Sequence, residues 1–465
     1  MVTALGHTDS RPDSASARFS VFAAQHGGFH AAPSYTTDVD YSAIAPGQDV
    51  IVAGMGLAFV DLLVLLMEGR GGRFETMSDG ELRYLPSGKE PKLWAGSRRG
   101  VPYHSKISAQ LKGAAPGPLR FFSAAAVGQL LEKHEELDFR EHLWPLIAKE
   151  AGYFYYREVL TGSPERAAMA WESFEAQFNG LDWYSRERAE LIAAAVPETA
   201  LHLDLERLDD PFRGVYFADH QDVQTALAQY IKRDLQQRDS PDHPETLALF
   251  LAFLHVYMEV GRVVPVERLN APSQQHIHGW WHGFFSFVDS GPPPHRLRQM
   301  LALHRAGLLE FLGPSLEVSV DQTNGTFIAS SRQSGVRIST TALIEARLPA
   351  TSLARSLNPV LASLHSSGLG TEQQLLTSDG IRSTGKLLVT AQHQLVGAGG
   401  NTQAALFGIG PGTSGWGAGA FARPSTNAAP FRENDALARN ILEAIRVTPT
   451  TSQTAPSEPA AAGKN

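Results

Sequence analysis

The stretch "VIVAGMGLAFVDLLVLL", residues 50–66, constrains the fold more than any other part of the chain. Four apolar residues lead into two glycines one residue apart, and an apolar run long enough for a helix follows. A strand that turns on glycine into a helix opens a parallel βαβ unit, and parallel strands need cover on both faces. The run is not read as a membrane span. Residues 51–67 fall short of the roughly 20 apolar residues a bilayer requires, and Asp61 interrupts them.

The turn reads Gly54-Met55-Gly56-Leu57-Ala58-Phe59. The first glycine permits a tight exit from the strand, and the second lets a pyrophosphate come close to the backbone. The helix start then offers free N–H groups and a partial positive charge. Phe59 stands where the full fingerprint carries a third glycine or an alanine, a departure expected to loosen the helix against the strand. The competing reading is a plain βα connection whose glycines serve only the turn. Asp61 is expected to favour the helix N-terminal end electrostatically rather than to touch a ligand.

The second strand decides which nucleotide fits. "KLWAG" ends in Ser97-Arg98-Arg99-Gly100, with no carboxylate to accept hydrogen bonds from a ribose 2′-OH. A serine and two guanidiniums suit a 2′-phosphate, so NADP(H) is favoured over NAD(H); a solvated basic loop is the alternative. The interval from Gly54 to Ser97 exceeds the usual spacing of about 20 residues. A hairpin inserted at 73–90, "RGGRFET" and "ELRYLPSG" around the turn "MSDG", accounts for the excess.

The chain has 465 residues, room for two or three domains, with 43% apolar and 19% charged residues as in an ordinary globular protein. A net charge of -8 argues against general nucleic-acid binding. Cysteine is absent, which excludes disulfides, thiolate metal sites, Fe–S clusters and redox dithiols. The first residues lack a basic start followed by an apolar core, so no signal peptide is read and a cytoplasmic location is expected.

From about 120 to 310 the pattern is helical, for example "FREHLWPLIAKEAGYFYYREVL" and "HPETLALFLAFLHVYMEVG". "HRLRQMLALHRAGLLEFLG" is read as one more helix, stopped by Gly313-Pro314. Strands return from 316 ("LEVSVD", "GTFIASS", "GVRIST", "TALIEARLP"), and "NDALARNILEAI" predicts a closing amphipathic helix. The end, "TPTTSQTAPSEPAAAGKN", has the composition of a disordered tail.

"GMGLAFVDLL", "EGRGGRF", "GSRRGVPYH" and the late "FGIGPGTSGWGAGAFARPSTNAAPFRENDALAR" together resemble the bacterial FAD-NAD(P)-binding flavoproteins, over about residues 3–447. The resemblance implies an α/β fold of Rossmann-like, three-layer FAD/NAD(P)-binding domains with a large inserted helical block. Residues 1–46 would be a remnant of the FAD domain and 47–118 the first part of the NAD(P) domain. Residues 119–313 would be the helical insertion and 314–349 the closing NAD(P)-domain strands, with 350–448 completing the FAD domain and 449–465 the tail. The family's own first Gly-x-Gly-x-x-Gly unit has no counterpart here. The residues leave open a fragment, a mis-started reading frame or a derivative, and the FAD half is expected to be incompletely folded or to rest on other elements.

By the resemblance, Gly54, Gly56 and Leu57 would contact the NADP pyrophosphate, and Ser97, Arg98 and Arg99 the 2′-phosphate. Gly6 and His7 would lie close to FAD, and Gly410, Pro411 and Thr413 would approach the flavin and ribityl chain. Trp416 would stack near the flavin ring or belong to the core. No acid or base can be named, because the flavin carries the redox chemistry. "HIHGWWHGFF" offers His276, His278 and His282 at metal-like spacing, but only Asp289 lies near and two tryptophans suggest packing, so no metal is assigned.

The expected function is an FAD- and NADP(H)-binding oxidoreductase, monooxygenase- or reductase-like, acting on a small molecule and not on nucleic acid or membrane. The competing reading is a non-catalytic nucleotide-binding or scaffold protein that has lost its flavin. Assembly with further copies of the chain stays open.

Overall fold

Val50, Ile51 and Val52 are fully buried, yet they point alternately to opposite sides of a strand, so both faces of their sheet must be covered. A computed structural model, describing residues 1–114, 117–377, 379–415 and 425–447, shows how. The chain divides into two compact units. The larger comprises 9–350 and 374–383; the smaller comprises 1–8, 351–373 and 384–465.

In the larger unit, helix α1 (Ser14–His26) leads to strand β1 (Phe29–Ala31). Strand β2 (Asp49–Ala53) turns into helix α2 (Leu57–Leu66), and β3 (Lys92–Gly96) follows. The helical region includes α3 (Trp144–Gly162), α4 (Glu245–Val263), α5 (His282–Asp289) and α6 (Pro294–Arg305). Strands β4 (Leu309–Gly313) and β5 (Ala342–Glu345) then join the same sheet. Its order is β1-β5-β2-β3-β4, and every pairing is parallel.

The two faces bury different partners. Val50 and Val52 join Phe59, Leu62 and Leu66 of α2 in a core continuous with the helical region. Ile51 packs on the other side with Phe22 of α1, Phe327, Ala329 and Leu343. Phe327 and Ala329 belong to an antiparallel three-stranded sheet, Leu316–Asp321, Thr326–Ser331 and Arg337–Thr340, which with α1 forms the third layer. Each such fully buried aliphatic side chain contributes about 1.5–3 kcal/mol of transfer free energy.

Several expectations are met closely. The strand at 50–53, the helix after the glycines, the strand 92–96 and the hairpin Arg73–Thr76 with Leu82–Leu85 stand where the pattern put them. Two do not. "HRLRQMLALHRAGLLEFLG" is not one helix: α6 ends at Arg305, Gly307 takes φ +73°, and the rest becomes β4 beside β3. Residues 9–46, expected with the remnant 1–46, group with the larger unit, because β1 pairs with β5.

Helix α4 is long and apolar enough to cross a membrane by composition. Here Ala248, Ala252, Phe253 and Val256 are buried in the same core as α3.

The helical region leaves and rejoins the sheet through a narrow neck. The His104 amide donates to the Phe287 carbonyl (3.2 Å) and the Lys106 amide to the Pro292 carbonyl (2.8 Å). A Cβ on Gly291 would sit 1.5 Å from the His104 carbonyl oxygen, so only glycine allows this approach. Buried Arg238 donates to the carbonyls of Ser105 (3.1 Å) and Val288 (3.0 Å), tying both sides. Asp234 accepts from the Ser105 amide (2.8 Å) and from His104 Nδ1 (2.5 Å). Burial opposes the Asp234 charge, but His104, Arg238 and the Ser105 amide hold its carboxyl below the ordinary range. Burial, aided by Arg238, pulls His104 down against the raising effect of Asp234.

In the smaller unit, Val2–Thr3 runs parallel to Thr402–Gly408, which pairs antiparallel with Gln394–Val396. A helix, Pro359–Ser366, contributes Leu364 to a small core with Leu353, Leu387, Val389 and Leu395. Helix Ala429–Val447 follows the segment that contains Trp416, and Trp416 and the tail 448–465 lie outside the described residues.

Candidate functional site

In a parallel sheet, ligand crevices form at the carboxyl ends of the strands where the strand order changes direction. Here the chain steps from β2 to β3 and β4 on one side, then returns to place β5 on the other. At that point the ends of β2, β3 and β5 surround a cavity of about 460 Å³. Gly54, Gly56, Leu57, Ser97, Arg98 and Arg99, singled out in the sequence, all line it. Asp61 does not; it is exposed and sits beyond the first turn of α2.

The turn out of β2 requires its first glycine. Gly54 takes φ +127°, and a Cβ there would meet the Ala346 carbonyl oxygen at 2.6 Å. Its amide donates to the Gly96 carbonyl (2.9 Å), which locks the ends of β2 and β3 together. The second glycine adopts ordinary extended backbone as the residue capping α2, and no side chain caps that helix start. A Cβ on Gly56 would press the Tyr103 ring at 3.3 Å, so its smallness serves contact with Tyr103. Phe59, expected to loosen the helix, is instead fully buried and anchors α2 in the core.

The basic turn after β3 is rigid. Ser97 Oγ accepts from the Gly100 amide (2.9 Å), and the Arg98 carbonyl accepts from the Ser315 amide (2.9 Å). Gly100 takes φ +75°, and a Cβ would strike Pro314 N at 2.4 Å. Arg98 is exposed on this turn, whereas Arg99 points to the helical region. Arg99 Nε donates to the Asp209 carbonyl (2.7 Å) and Nη2 to Asp209 Oδ1 (2.5 Å). Its guanidinium lies 4.5 Å over the Phe287 ring. Partial burial and the neighbouring Arg99 charge lower the Arg98 pKa from its ordinary value.

The cavity has further walls that the sequence did not announce. Tyr103 follows the basic turn, and Ser286, Phe287 and Ser290 come from the end of α5 and just beyond it. Burial raises the Tyr103 hydroxyl against the pull of both arginines. No spacing rule links α5 to residue 54, more than 200 positions away. Arg347 also lines the cavity, and a basic residue two positions after "ALIE" was a readable signal. Among the described lining residues there are three arginines, three serines and no carboxylate, which favours an anionic ligand.

The second set of candidates lies in the smaller unit. Val2–Thr3 and Thr402–Gly408 end side by side, with the Ile409 amide donating to the Thr3 carbonyl (3.0 Å). Gly6 and Gly410 follow with φ +63° and +100°. Thr413 is buried, and its Oγ1 donates to the Gly410 carbonyl (2.9 Å). His7 is exposed and Pro411 half-buried. Nothing described lies within 4 Å of a Cβ built on Gly6, so backbone faces open space there.

In the histidine segment His276 is half-buried, whereas His278 and His282 are exposed. His276 ends a short helix, a π-helical turn covers Ile277–Trp281, and Trp281 is buried. No group of three metal-capable side chains occurs among the described residues.

No family model matches the chain. It is similar to an L-aspartate N-monooxygenase (nitrosuccinate-forming) of Streptomyces davaonensis, 33% identical over 456 residues, covering 96% of this chain and 69% of that protein. A nitrosuccinic acid synthase of Aspergillus oryzae is 30% identical over 452 residues, covering 96% of this chain and 68% of that one. An L-aspartate N-monooxygenase (nitrosuccinate-forming) of Streptomyces cremeus is 32% identical over 453 residues, covering 95% and 67%. The similarity runs through both units, and with it the oxidoreductase reading narrows to a monooxygenase: the chain belongs to the family of nitrosuccinate-forming L-aspartate N-monooxygenases.

Proposed function

We propose that this protein is an FAD- and NADP(H)-dependent monooxygenase that oxidises the amino nitrogen of L-aspartate to give nitrosuccinate. The observation that carries the reading is the acid-free, arginine-lined cavity at the carboxyl ends of β2, β3 and β5, in a chain whose relatives are named for that reaction. NADP(H) fits this cavity. The uncapped start of α2 at Gly56 and Leu57 would hold the pyrophosphate, and the Ser97–Arg99 turn would face the 2′-phosphate. FAD fits the smaller unit at Gly6, His7, Gly410, Pro411 and Thr413, where Gly6 and Gly410 are both left-handed and Gly6 brings backbone to open space. Reduced flavin supplies the electrons for oxygen activation when bound. The protein's own part is to orient. The Gly54 turn fixes the helix start, the Gly100 turn fixes the basic corner, and Phe287 with Tyr103 adds aromatic wall to the cavity.

The test is NADPH oxidation by purified protein supplied with FAD, with and without L-aspartate, and mass spectrometry of the product. Aspartate-stimulated oxidation yielding nitrosuccinate is expected. NADPH oxidation that ignores aspartate overturns the substrate; no oxidation with FAD present overturns the cofactor reading.

A further inference from the structure

The two arginines of the basic turn are adjacent in sequence but differ in what they are free to do. Arg99 is committed on three sides. Both its Nε and Nη2 are used by Asp209, and Phe287 lies beneath its plane. Its side chain is only 11% exposed, and that of Asp209 is 18% exposed. Asp209 is committed as well: its other oxygen accepts from Trp280 Nε1 (2.7 Å), and Trp280 is covered by the Arg140 guanidinium at 3.5 Å. A phosphate that drew Arg99 away would leave a largely buried carboxylate with one hydrogen-bond donor, Trp280, and only the longer-range charges of Arg140 and Arg98, a change that costs more than an ordinary hydrogen bond returns. Arg98 is held less tightly: Asp209 and Asp210 attract it only through space. Among the described residues none hydrogen-bonds or ion-pairs with its guanidinium, and it is exposed at the cavity. The turn that carries both is held by Ser97, Ser315 and the Gly100–Pro314 contact, so the two side chains cannot exchange places by a small rotation.

We propose a division of labour: Arg98 alone reads the nucleotide 2′-phosphate, while Arg99 is a positioning residue whose bond to Asp209 braces the turn against the helical region. The proposal rests on the NADP(H) reading of the cavity and goes beyond it by naming which cation discriminates. Arg99 is then the counter-ion of Asp209, held away from the phosphate by that carboxylate.

The test is equilibrium titration of the full chain with 2′,5′-ADP and with 5′-AMP, which differ only by the phosphate in question, alongside thermal melting. Wild type is expected to prefer 2′,5′-ADP. Arg98→Ala should lower that preference by about 10- to 100-fold, the worth of a charge-assisted bidentate contact, with the melting temperature unchanged. Arg99→Ala should lower the melting temperature and keep the preference. Should Arg99→Ala not fold, Asp209→Asn serves instead: it removes the charge that pairs with Arg99 while keeping the backbone carbonyl that accepts from Nε, and the preference should hold. A preference that survives Arg98→Ala, or that falls in Arg99→Ala or Asp209→Asn, overturns the division of labour. A wild type with no preference for 2′,5′-ADP overturns the NADP(H) reading itself.

Discussion

At the scale of single residues, Glu345 shows how charge is placed beside the cavity. It ends β5 with 9% exposure, between His30 Nε2 (3.3 Å) and Arg347 Nη2 (2.5 Å). Burial pushes its carboxyl up, but His30 and Arg347 outweigh this and bring it down to about 2 from 4.5. A carboxylate depressed in the folded state stabilises above its unfolded pKa, and the contribution fades as pH falls through the folded one. Glu345→Gln is therefore expected to cost on the order of 2 kcal/mol at pH 7, after allowance for solvent screening. In urea titrations that deficit should shrink as pH falls from 4.5 towards 2; a deficit independent of pH would contradict it. Residues acting near their own strand end were readable: Gly54, Ser97 and Arg98 follow from local chemistry at a turn. The Asp209 that occupies Arg99 was not, because it lies 110 positions along the chain and only folding brings it there.

At the scale of elements, the β2–α2 turn is one of two tightly held turns at the cavity. Gly54→Ala forces a side chain into a left-handed backbone and against the Ala346 carbonyl. The expected cost is about 2 kcal/mol or more by chemical denaturation, with weaker NADPH binding by titration. Wild-type stability and affinity in this variant would show that the turn relaxes freely. The strands and helices of this region were legible because hydrophobic period and glycine placement agreed. β4 was not. "LLEFLG" is compatible with either period, and its apolar continuity with α6 hid the break at Gly307. The aromatic wall from α5 carried no signal either, since a Phe in a helix reads as core.

At the scale of the molecule, the two units are unequally built. The larger holds a core running from the sheet through the helical region, whereas the smaller has a buried cluster of Leu353, Leu364, Leu387, Val389 and Leu395. Val2 is 45% exposed on its short strand, and Phe431, Leu442 and Ile445 are exposed on the last helix. Hydrogen exchange should therefore be faster at Phe407–Ile409 than at Val50–Val52 by orders of magnitude. Equal protection would mean that the smaller unit is as secure as the larger. The neck at 104–106 and 287–292 has a consequence for how the sheet assembles. More than 200 residues separate the end of β3 from the start of β4, a separation that would ordinarily make their pairing slow. Once His104 and Lys106 are bonded to Phe287 and Pro292, that long excursion is short-circuited. β3 then meets β4 across an effective connection little longer than α6 and its flanking turns. We expect the helical region to close upon itself before β4 finds β3, so that a lesion at Asp234 or Arg238 slows refolding as delayed zipping of that sheet edge.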